Sequence, residues 1–149
     1  MKAIVLLSGG LDSTTVLTHA VRRGCEVRAL SVRYGQRHHR ELGSARAVAA
    51  ELDVPLIEVD ASFYAHLASH SALTDSAAHA LPERREVESM ADEIPITYVP
   101  LRNTFFVTLA AAALESWLLD CIEREGASPA GLEGAVFVGA NAIDYSGYP

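Results

Sequence analysis

Short apolar runs alternate along this chain with longer segments in which apolar residues recur at helical spacing. Four segments predict strands, two of them as continuous apolar runs typical of strands buried on both faces: residues 3–7, 26–32, 54–59 and 135–138. Three segments with apolar side chains three or four positions apart predict helices: residues 13–23, 41–52 and about 104–124. The pattern therefore predicts strands and helices in alternation.

This alternation predicts the α/β class, as a Rossmann-like, doubly wound parallel sheet of at least four strands. The crossovers between successive parallel strands should be right-handed. We expect one domain over residues 1–149. Residues 61–93 lose the periodicity and are rich in Ala, Ser, His and Glu, so they predict a lid-like or partly disordered insertion.

Composition narrows the function classes. The net charge of −7 argues against broad nucleic-acid binding, and no apolar run approaches the roughly 20 residues that span a bilayer. Cys25 and Cys121 lie far apart, outside any metal-type spacing, which favours reduced core residues and a cytoplasmic protein. The pairs His38–His39 and His66–His70 are interpreted as surface histidines rather than metal ligands.

A glycine turn follows the first predicted strand and precedes the first predicted helix. Such a turn lets the backbone approach a ligand, while the amides at the helix start favour an anion. We therefore expect this turn to hold the phosphates of a nucleotide, with these residues in contact: Ser8, Gly9, Gly10, Leu11, Asp12, Ser13 and Thr14. Asp12 repels phosphate, so it is either a Mg²⁺ contact or a helix cap.

Three further polar segments follow predicted strands or precede the long helix, at residues 33–41, 94–104 and 139–149. Ligands bind outside the carboxyl ends of parallel strands, which places these segments near the glycine turn. Asn103 or Thr104 is predicted as the N-cap of the long helix. The alternatives are a solvated loop, a capping turn with a surface Arg102 and a frayed carboxyl terminus.

The glycine turn lacks the lysine of a Walker sequence and does not match the dinucleotide fingerprint. It resembles the pyrophosphatase loop of the adenine-nucleotide α-hydrolase-like superfamily. Four segments then occur in the order seen in the 7-cyano-7-deazaguanine synthase (QueC) family of queuosine biosynthesis: Leu-Ser-Gly-Gly-Leu-Asp-Ser-Thr-Thr from residue 7, Tyr-Gly-Gln-Arg-His from 34 with Glu41, Tyr-Val-Pro-Leu-Arg-Asn-Thr from 98, and Gly-Ala-Asn-Ala-Ile-Asp-Tyr-Ser-Gly-Tyr-Pro from 139.

The resemblance implies an ATP-dependent ligase that converts 7-carboxy-7-deazaguanine and ammonia to a nitrile through adenylated intermediates. It implies ATP and Mg²⁺ as cofactors, with Asp12 near the Mg²⁺ and with Asp12, Ser13 and Arg102 as catalytic residues. It implies contacts to the deazapurine from seven residues: Tyr34, Gln36, Arg37, Asn103, Asn141, Asp144 and Tyr145. It also implies small-molecule partners, no nucleic acid, no membrane and a homodimer.

Two departures from the family accompany the resemblance. Family members continue past the last of these segments into a four-cysteine zinc site, whose ligands are not present in this chain. The stretch at residues 117–133 also looks longer than usual. The competing hypotheses are a related amide-forming or tRNA-modifying enzyme, an enzyme that uses an amine other than ammonia, and a non-catalytic ATP-binding module.

Overall fold

A parallel sheet forms the centre of the computed structural model, which describes residues 1–34, 39–64 and 101–140, with His39 and Arg40 described by their backbone alone. Its strands are β1 (Lys2–Leu6), β2 (Glu26–Arg33), β3 (Leu56–Asp60) and β4 (Gly134–Phe137), in the order β3-β2-β1-β4. All three pairings are parallel, and β1 lies between β2 and β4. The predicted α/β class with a Rossmann-like parallel sheet is confirmed.

Within the described residues, three helices cover the two faces of this sheet. They are α1 (Leu11–Arg22), α2 (His39–Glu51) and α3 (Arg102–Glu123), and a 3₁₀ turn at Pro129–Gly131 precedes β4. The helices α1 and α2 pack on one face and α3 packs on the other, which is the doubly wound arrangement. Because every strand runs in the same direction, all three helices begin at the carboxyl edge of the sheet.

Alternating side chains of the strands divide the core into two halves. On one face, Ala3, Val5 and Ala29 pack with the buried residues of α1 and α2. On the other face, Ile4 and Leu30 pack with the buried side of α3. The central strands β1 and β2 are therefore buried on both faces, which explains the continuous apolar run from which β1 was predicted.

Helix α3 bears on two expectations from the sequence. It is 22 residues long and, by length and hydropathy alone, apolar enough to cross a bilayer, although its buried Ala110 and Trp117 pack on the sheet as a core helix does. It also begins at Arg102, after Leu101 in the left-handed region with φ of 53°, and no side chain caps it. The prediction that Asn103 or Thr104 caps this helix is wrong.

An ion pair attaches α2 to β3. Arg46 donates from Nε to Oε1 of Glu58 at 2.6 Å and from Nη2 to Oε2 at 2.7 Å, in a bidentate arrangement. The hydrogen bonds from Arg46 lower the pKa of the Glu58 carboxyl below its usual value. Both side chains are partly open to solvent, so the pair orients α2 more than it stabilises the protein.

Residues 61–64 form a short turn after β3, in which Ala61 and Tyr64 are buried against Tyr34. The rest of the predicted insertion, residues 65–93, lies outside the described residues, as do residues 35–38 and 141–149. The expectation of a lid-like insertion stays a prediction.

We predict that Leu17→Ala, at a fully buried position of α1, destabilises the protein by about 2–5 kcal/mol, because the truncation leaves a cavity in the core. Leu119→Ala is the matched control, since Leu119 is 48% exposed on α3 and its truncation should cost less than about 1 kcal/mol. Urea denaturation of both variants measures the difference. Equal losses of stability would contradict the assignment of Leu17 to the core.

Candidate functional site

A cavity of about 420 Å³ opens at the carboxyl edge of the sheet. Its walls come from the ends of the strands, the glycine turn, the start of α2 and the start of α3. The lining side chains that carry polar groups are Ser8, Ser13, Ser31, Arg33, Tyr34, Glu41, Ser62, Arg102 and Asn103. The cavity therefore brings together residues from three of the four sequence segments singled out above, together with Gly139 at the beginning of the fourth.

Hydrogen bonds among its own residues close the glycine turn. The Ser13 hydroxyl donates to the Gly10 carbonyl at 3.1 Å and accepts from the Ser8 amide at 3.3 Å. The Ser8 hydroxyl accepts from the Gly10 amide at 3.3 Å and lies 3.1 Å from the Ser13 hydroxyl. The two serines thus fix the conformation of the turn. The sequence pattern predicted only their contact with phosphate and not this structural role.

The amides at the start of α1 lie at the end of the helix that favours anions. Thr14 is the first residue of this helix to close a helical bond, from its amide to the Gly10 carbonyl at 3.0 Å. The amides of Leu11, Asp12 and Ser13 come before that ladder, at the positive end of the helix dipole. Of the seven predicted phosphate-binding residues, Ser8 and Ser13 line the cavity, and the other five belong to the same turn.

Helix α2 passes so close to Gly9 that a side chain has no room there. A Cβ at Gly9 would lie 2.5 Å from the Ala45 amide nitrogen and 2.6 Å from the Ser44 Cβ. Gly9 also has φ of +81°, a conformation that residues with a side chain rarely adopt. The glycine therefore serves the packing of α2 against the turn.

The segment after β4 touches the other side of the turn. A Cβ at Gly139 would lie 2.7 Å from the Ser13 amide nitrogen and 2.8 Å from the Asp12 carbonyl carbon. This contact fixes the start of the fourth segment against the first turn of α1. Its predicted ligand contacts, Asn141, Asp144 and Tyr145, lie outside the described residues, as do Gln36 and Arg37.

Arg102 and Asn103 lie in the first turn of α3 and line the cavity from the other face of the sheet. The Arg102 Nε donates to the Asn103 Oδ1 at 3.3 Å. Within the described part of the chain Arg102 forms no ion pair, whereas Arg33 is paired with Asp60. Arg102 is therefore the cavity arginine whose charge is not already balanced by a described carboxylate.

Burial limits what Tyr34 can offer to a ligand. The residue is 2% exposed, and its ring packs on Phe106 with centroids 5.1 Å apart. Both residues line the cavity, yet the ring of Tyr34 belongs mainly to a cluster with Ala61 and Tyr64. Tyr34, which the resemblance implies as a contact to the deazapurine, thus has little open surface in this structure.

The rim beyond β2 and β3 carries a second set of polar contacts. Asp60 accepts from the hydroxyl of Ser62 at 2.5 Å and from its amide at 3.0 Å, and Arg33 donates to the same carboxylate. The Ser62 bonds, with a further contribution from Arg33, lower the pKa of the Asp60 carboxyl. This set holds the ends of β2 and β3 together beside the cavity.

The sequence pattern missed several lining residues. Ser31, Leu42 and Phe106 received no functional interpretation, and Glu41 was quoted in a sequence segment without a role. A lone serine in an apolar strand gives no signal until the topology places it at the end of the sheet. A carboxylate in the first turn of a helix, such as Glu41, is explained equally well by its favourable interaction with the helix dipole, so it does not by itself indicate a binding site.

No group of three or more His, Cys, Asp or Glu side chains in the described ranges could hold a metal ion. Asp12 is an exposed carboxylate in the first turn of α1. Cys25 packs with the core on the α1 and α2 face, whereas Cys121 packs under α3. The two cysteines therefore lie on opposite faces of the sheet and cannot share one metal ion.

We predict that Gly9→Ala destabilises the protein by about 1–3 kcal/mol, because the new methyl group overlaps Ala45 and the backbone is strained. Gly43→Ala is the control, since Gly43 lies within α2 with open space around it, and alanine there should stabilise by up to about 1 kcal/mol. Chemical denaturation measures the change in the free energy of unfolding for both variants. Stabilisation by Gly9→Ala would contradict the close packing of α2 on the turn.

Comparison with known proteins gives a consistent family. A model of the family described as "Queuosine biosynthesis protein QueC" matches residues 2–149. The chain is 47% identical over 150 residues to a 7-cyano-7-deazaguanine synthase of Thermoplasma acidophilum and 45% identical over 149 residues to one of Trichormus variabilis. These alignments cover 99% and 100% of the chain, respectively.

A third relative, from Anaeromyxobacter dehalogenans, carries the same name and is 47% identical over 151 residues. The chain spans 54%, 59% and 56% of the lengths of these three relatives, somewhat more than half of each. The match nevertheless runs through the glycine turn, the cavity and all four described strands. The chain therefore belongs to the QueC family of queuosine biosynthesis proteins.

Proposed function

We propose that the protein is an ATP-dependent carbon–nitrogen ligase that converts 7-carboxy-7-deazaguanine and ammonia to 7-cyano-7-deazaguanine in the cytoplasm. The observation that carries this proposal is the convergence of the glycine turn, Arg102 and the start of the fourth segment on one cavity. The names of the relatives support the same reaction. The chain spans just over half of those relatives, so an assay of the protein itself decides whether it has this activity.

The chemistry requires activation of a poor electrophile. A carboxylate oxygen of the substrate attacks the α-phosphorus of ATP, and the bond to the β-phosphate breaks to release pyrophosphate. Ammonia then attacks the acyl-adenylate carbon, so that AMP leaves and an amide forms with loss of a proton. A second ATP adenylates the amide oxygen in the same way. Loss of AMP and the remaining nitrogen-bound protons then gives the nitrile.

The glycine turn serves the leaving pyrophosphate in this proposal. The amides of Leu11, Asp12 and Ser13 provide donors at the positive end of α1, and the hydroxyls of Ser8 and Ser13 line the same wall. Transfer of a nucleotidyl group depends chiefly on positioning and on stabilisation of charge. The internal hydrogen bonds of the turn keep these donors in place before the nucleotide arrives.

Arg102 stabilises the charge that develops on the α-phosphate. It reaches the cavity from the face opposite the glycine turn, and no described carboxylate forms an ion pair with it. A guanidinium group can bind two phosphate oxygens at once, which suits a site where charge moves between oxygens. Asn103 accepts from the Arg102 Nε and helps to orient the guanidinium.

Mg²⁺ fits the site as an ion that arrives with ATP. Such ions are held by one or two carboxylates, by water and by substrate phosphates rather than by a complete protein cage. Asp12 supplies one carboxylate at the phosphate end, and bound Mg²⁺ would neutralise phosphate charge there. Zinc does not fit the described residues, because the two cysteines lie on opposite faces of the sheet.

The deazapurine contacts remain part of the proposal, with Tyr34 and Asn103 at the cavity wall. The other substrate contacts belong to segments that adjoin this wall in the chain: Gln36, Arg37, Asn141, Asp144 and Tyr145. Asp144 is assigned to the amidine-like edge of the base, which donates hydrogen bonds. Recognition of a small molecule by these residues is consistent with a net charge of −7, which disfavours nucleic acid.

We predict that the protein incubated with ATP, Mg²⁺, ¹⁵N-labelled ammonia and 7-carboxy-7-deazaguanine releases AMP and forms a nitrile labelled with ¹⁵N. Chromatography measures AMP, and mass spectrometry measures the labelled product. Two molecules of AMP are expected for each nitrile, because each adenylation consumes one ATP.

Other outcomes separate the competing hypotheses. Binding of ATP without release of AMP would contradict a ligase and favour a nucleotide-binding module. Release of AMP with incorporation of an added amine but no ¹⁵N would indicate another amine acceptor. Absence of ATP binding would contradict the proposed function altogether.

We predict that Arg102→Ala lowers the rate of AMP release about 100- to 1,000-fold, as removal of a group that stabilises transition-state charge does in other enzymes. Arg124→Ala is the matched control, since Arg124 follows the other end of α3 and pairs with Asp120 at 3.2 Å. That variant should retain the wild-type rate within about twofold. Equal rates for both variants would contradict the role of Arg102.

A further inference from the structure

Ser31 is a buried polar residue that the proposed chemistry does not use. It lies in β2, is 7% exposed and lines the cavity. Within the described part of the chain its hydroxyl has no hydrogen-bond partner. Every fully buried side-chain oxygen or nitrogen in that part does have a partner, so the Ser31 hydroxyl is not fully buried. The accessible part of the Ser31 hydroxyl therefore opens into the cavity, where a ligand can satisfy it.

The sheet register gives the position of this hydroxyl relative to the glycine turn. Leu6 of β1 pairs with Leu30, and the Leu7 amide donates to the Leu30 carbonyl at 2.9 Å. Ser31 therefore lies level with the point where β1 leaves the sheet and becomes the turn. Its side chain points to the same face as that of Ala29, two residues earlier, which is the face covered by α1 and α2.

Glu41 lines the same cavity from the first turn of α2, on that same face. The carboxylate is half-buried and has no ion pair within the described ranges. An ionised carboxylate accepts hydrogen bonds and donates none, so it requires a ligand group with N–H or O–H donors and repels a phosphate. Ser31 and Glu41 therefore line the cavity from the same face of the sheet, and that side of the cavity suits an uncharged donor.

We infer that Ser31 and Glu41 form a recognition pair for an uncharged hydrogen-bonding group in the nucleoside half of the bound nucleotide. The group is a ribose hydroxyl or the exocyclic amino group, both of which donate to a carboxylate and exchange hydrogen bonds with a hydroxyl. This inference rests on the proposed function, since it requires ATP in the cavity. It goes further by assigning selectivity for the nucleoside to two residues outside the glycine turn.

The pair gives one side of the cavity a binding preference that differs from that of the glycine turn. The amides of the turn and Arg102 attract the negatively charged phosphates, whereas Glu41 disfavours them on its own side. A nucleotide that entered in the reverse orientation would place phosphate against Glu41 and leave the Ser31 hydroxyl without a partner. The pair therefore specifies the orientation of the ligand as well as its identity.

The test measures binding by calorimetry with ATP and with pyrophosphate as separate probes. Ser31→Ala and Glu41→Gln should each weaken ATP about three- to tenfold, which is the effect of losing one hydrogen bond to a neutral group. Ser31→Ala should bind pyrophosphate as the wild type does, within about twofold, and Glu41→Gln should bind it no more weakly than the wild type, because the substitution removes a negative charge. Glu51→Gln is the matched control, because Glu51 is exposed at the far end of α2, outside the cavity lining, and its loss should leave the wild-type affinity for ATP unchanged.

Analogues of ATP identify which group of the nucleoside binds to Ser31 and Glu41. If the source is ribose, 2′-deoxy- or 3′-deoxy-ATP should bind more weakly than ATP to the wild type but equally to Ser31→Ala. If the source is the amino group, inosine triphosphate should show that behaviour instead. Loss of discrimination with either kind of analogue supports the pair, and unchanged discrimination with all three analogues overturns it.

Three results contradict the inference in distinguishable ways. Unchanged ATP affinity in both Ser31→Ala and Glu41→Gln overturns the recognition pair while the proposed function stands. Equal weakening of ATP and pyrophosphate overturns it in favour of a general effect on the turn. Absence of ATP binding by the wild type contradicts the proposed function, and the inference then fails as well because it requires ATP in the cavity.

Discussion

The position of the glycine turn depends on one steric constraint. Neighbouring residues occupy the space that a side chain at Gly9 or at Gly139 would need. Helix α2 passes Gly9 where a Cβ would lie 2.5 Å from Ala45, and the first turn of α1 lies 2.7 Å from a Cβ at Gly139. The turn is thus held between α2 and the segment after β4. Any displacement of the turn must move these neighbours as well, because interiors at this density leave no free space.

This constraint places the positive ends of helices where a ligand can use them. The amino ends of α1, α2 and α3 all lie at the carboxyl edge of the parallel sheet, around one cavity. Each end contributes a partial positive charge that salt and solvent screen less in a recess than at an open surface. A turn without a lysine can therefore still bind phosphate, provided that its neighbours keep it within reach of these helix ends.

The sequence predicted the strands and helices well because their apolar spacing follows directly from burial on one or both faces. It misplaced the cap of α3, since Leu101 adopts φ of 53° without any residue preference that indicates it. Ser31 and Glu41 were missed as a pair because they lie ten positions apart in the chain, and only the packing of α2 beside β2 brings them to one cavity. Local patterns determine elements, whereas the site depends on how the elements meet.

Two carboxylates give the surroundings of the glycine turn two chemically different parts, and of the two Glu41 lines the cavity. Asp12 and Glu41 each occupy the first turn of a helix, where a negative charge stabilises the helix. The same charges oppose a phosphate unless a cation or a neutral ligand group stands beside them. Asp12 adjoins the amides of the turn and can share a cation with phosphate, whereas Glu41 lies on the α2 side with Ser31. In the proposed function a nucleotide satisfies both parts at once, because its charge is confined to one end and its neutral donors to the other.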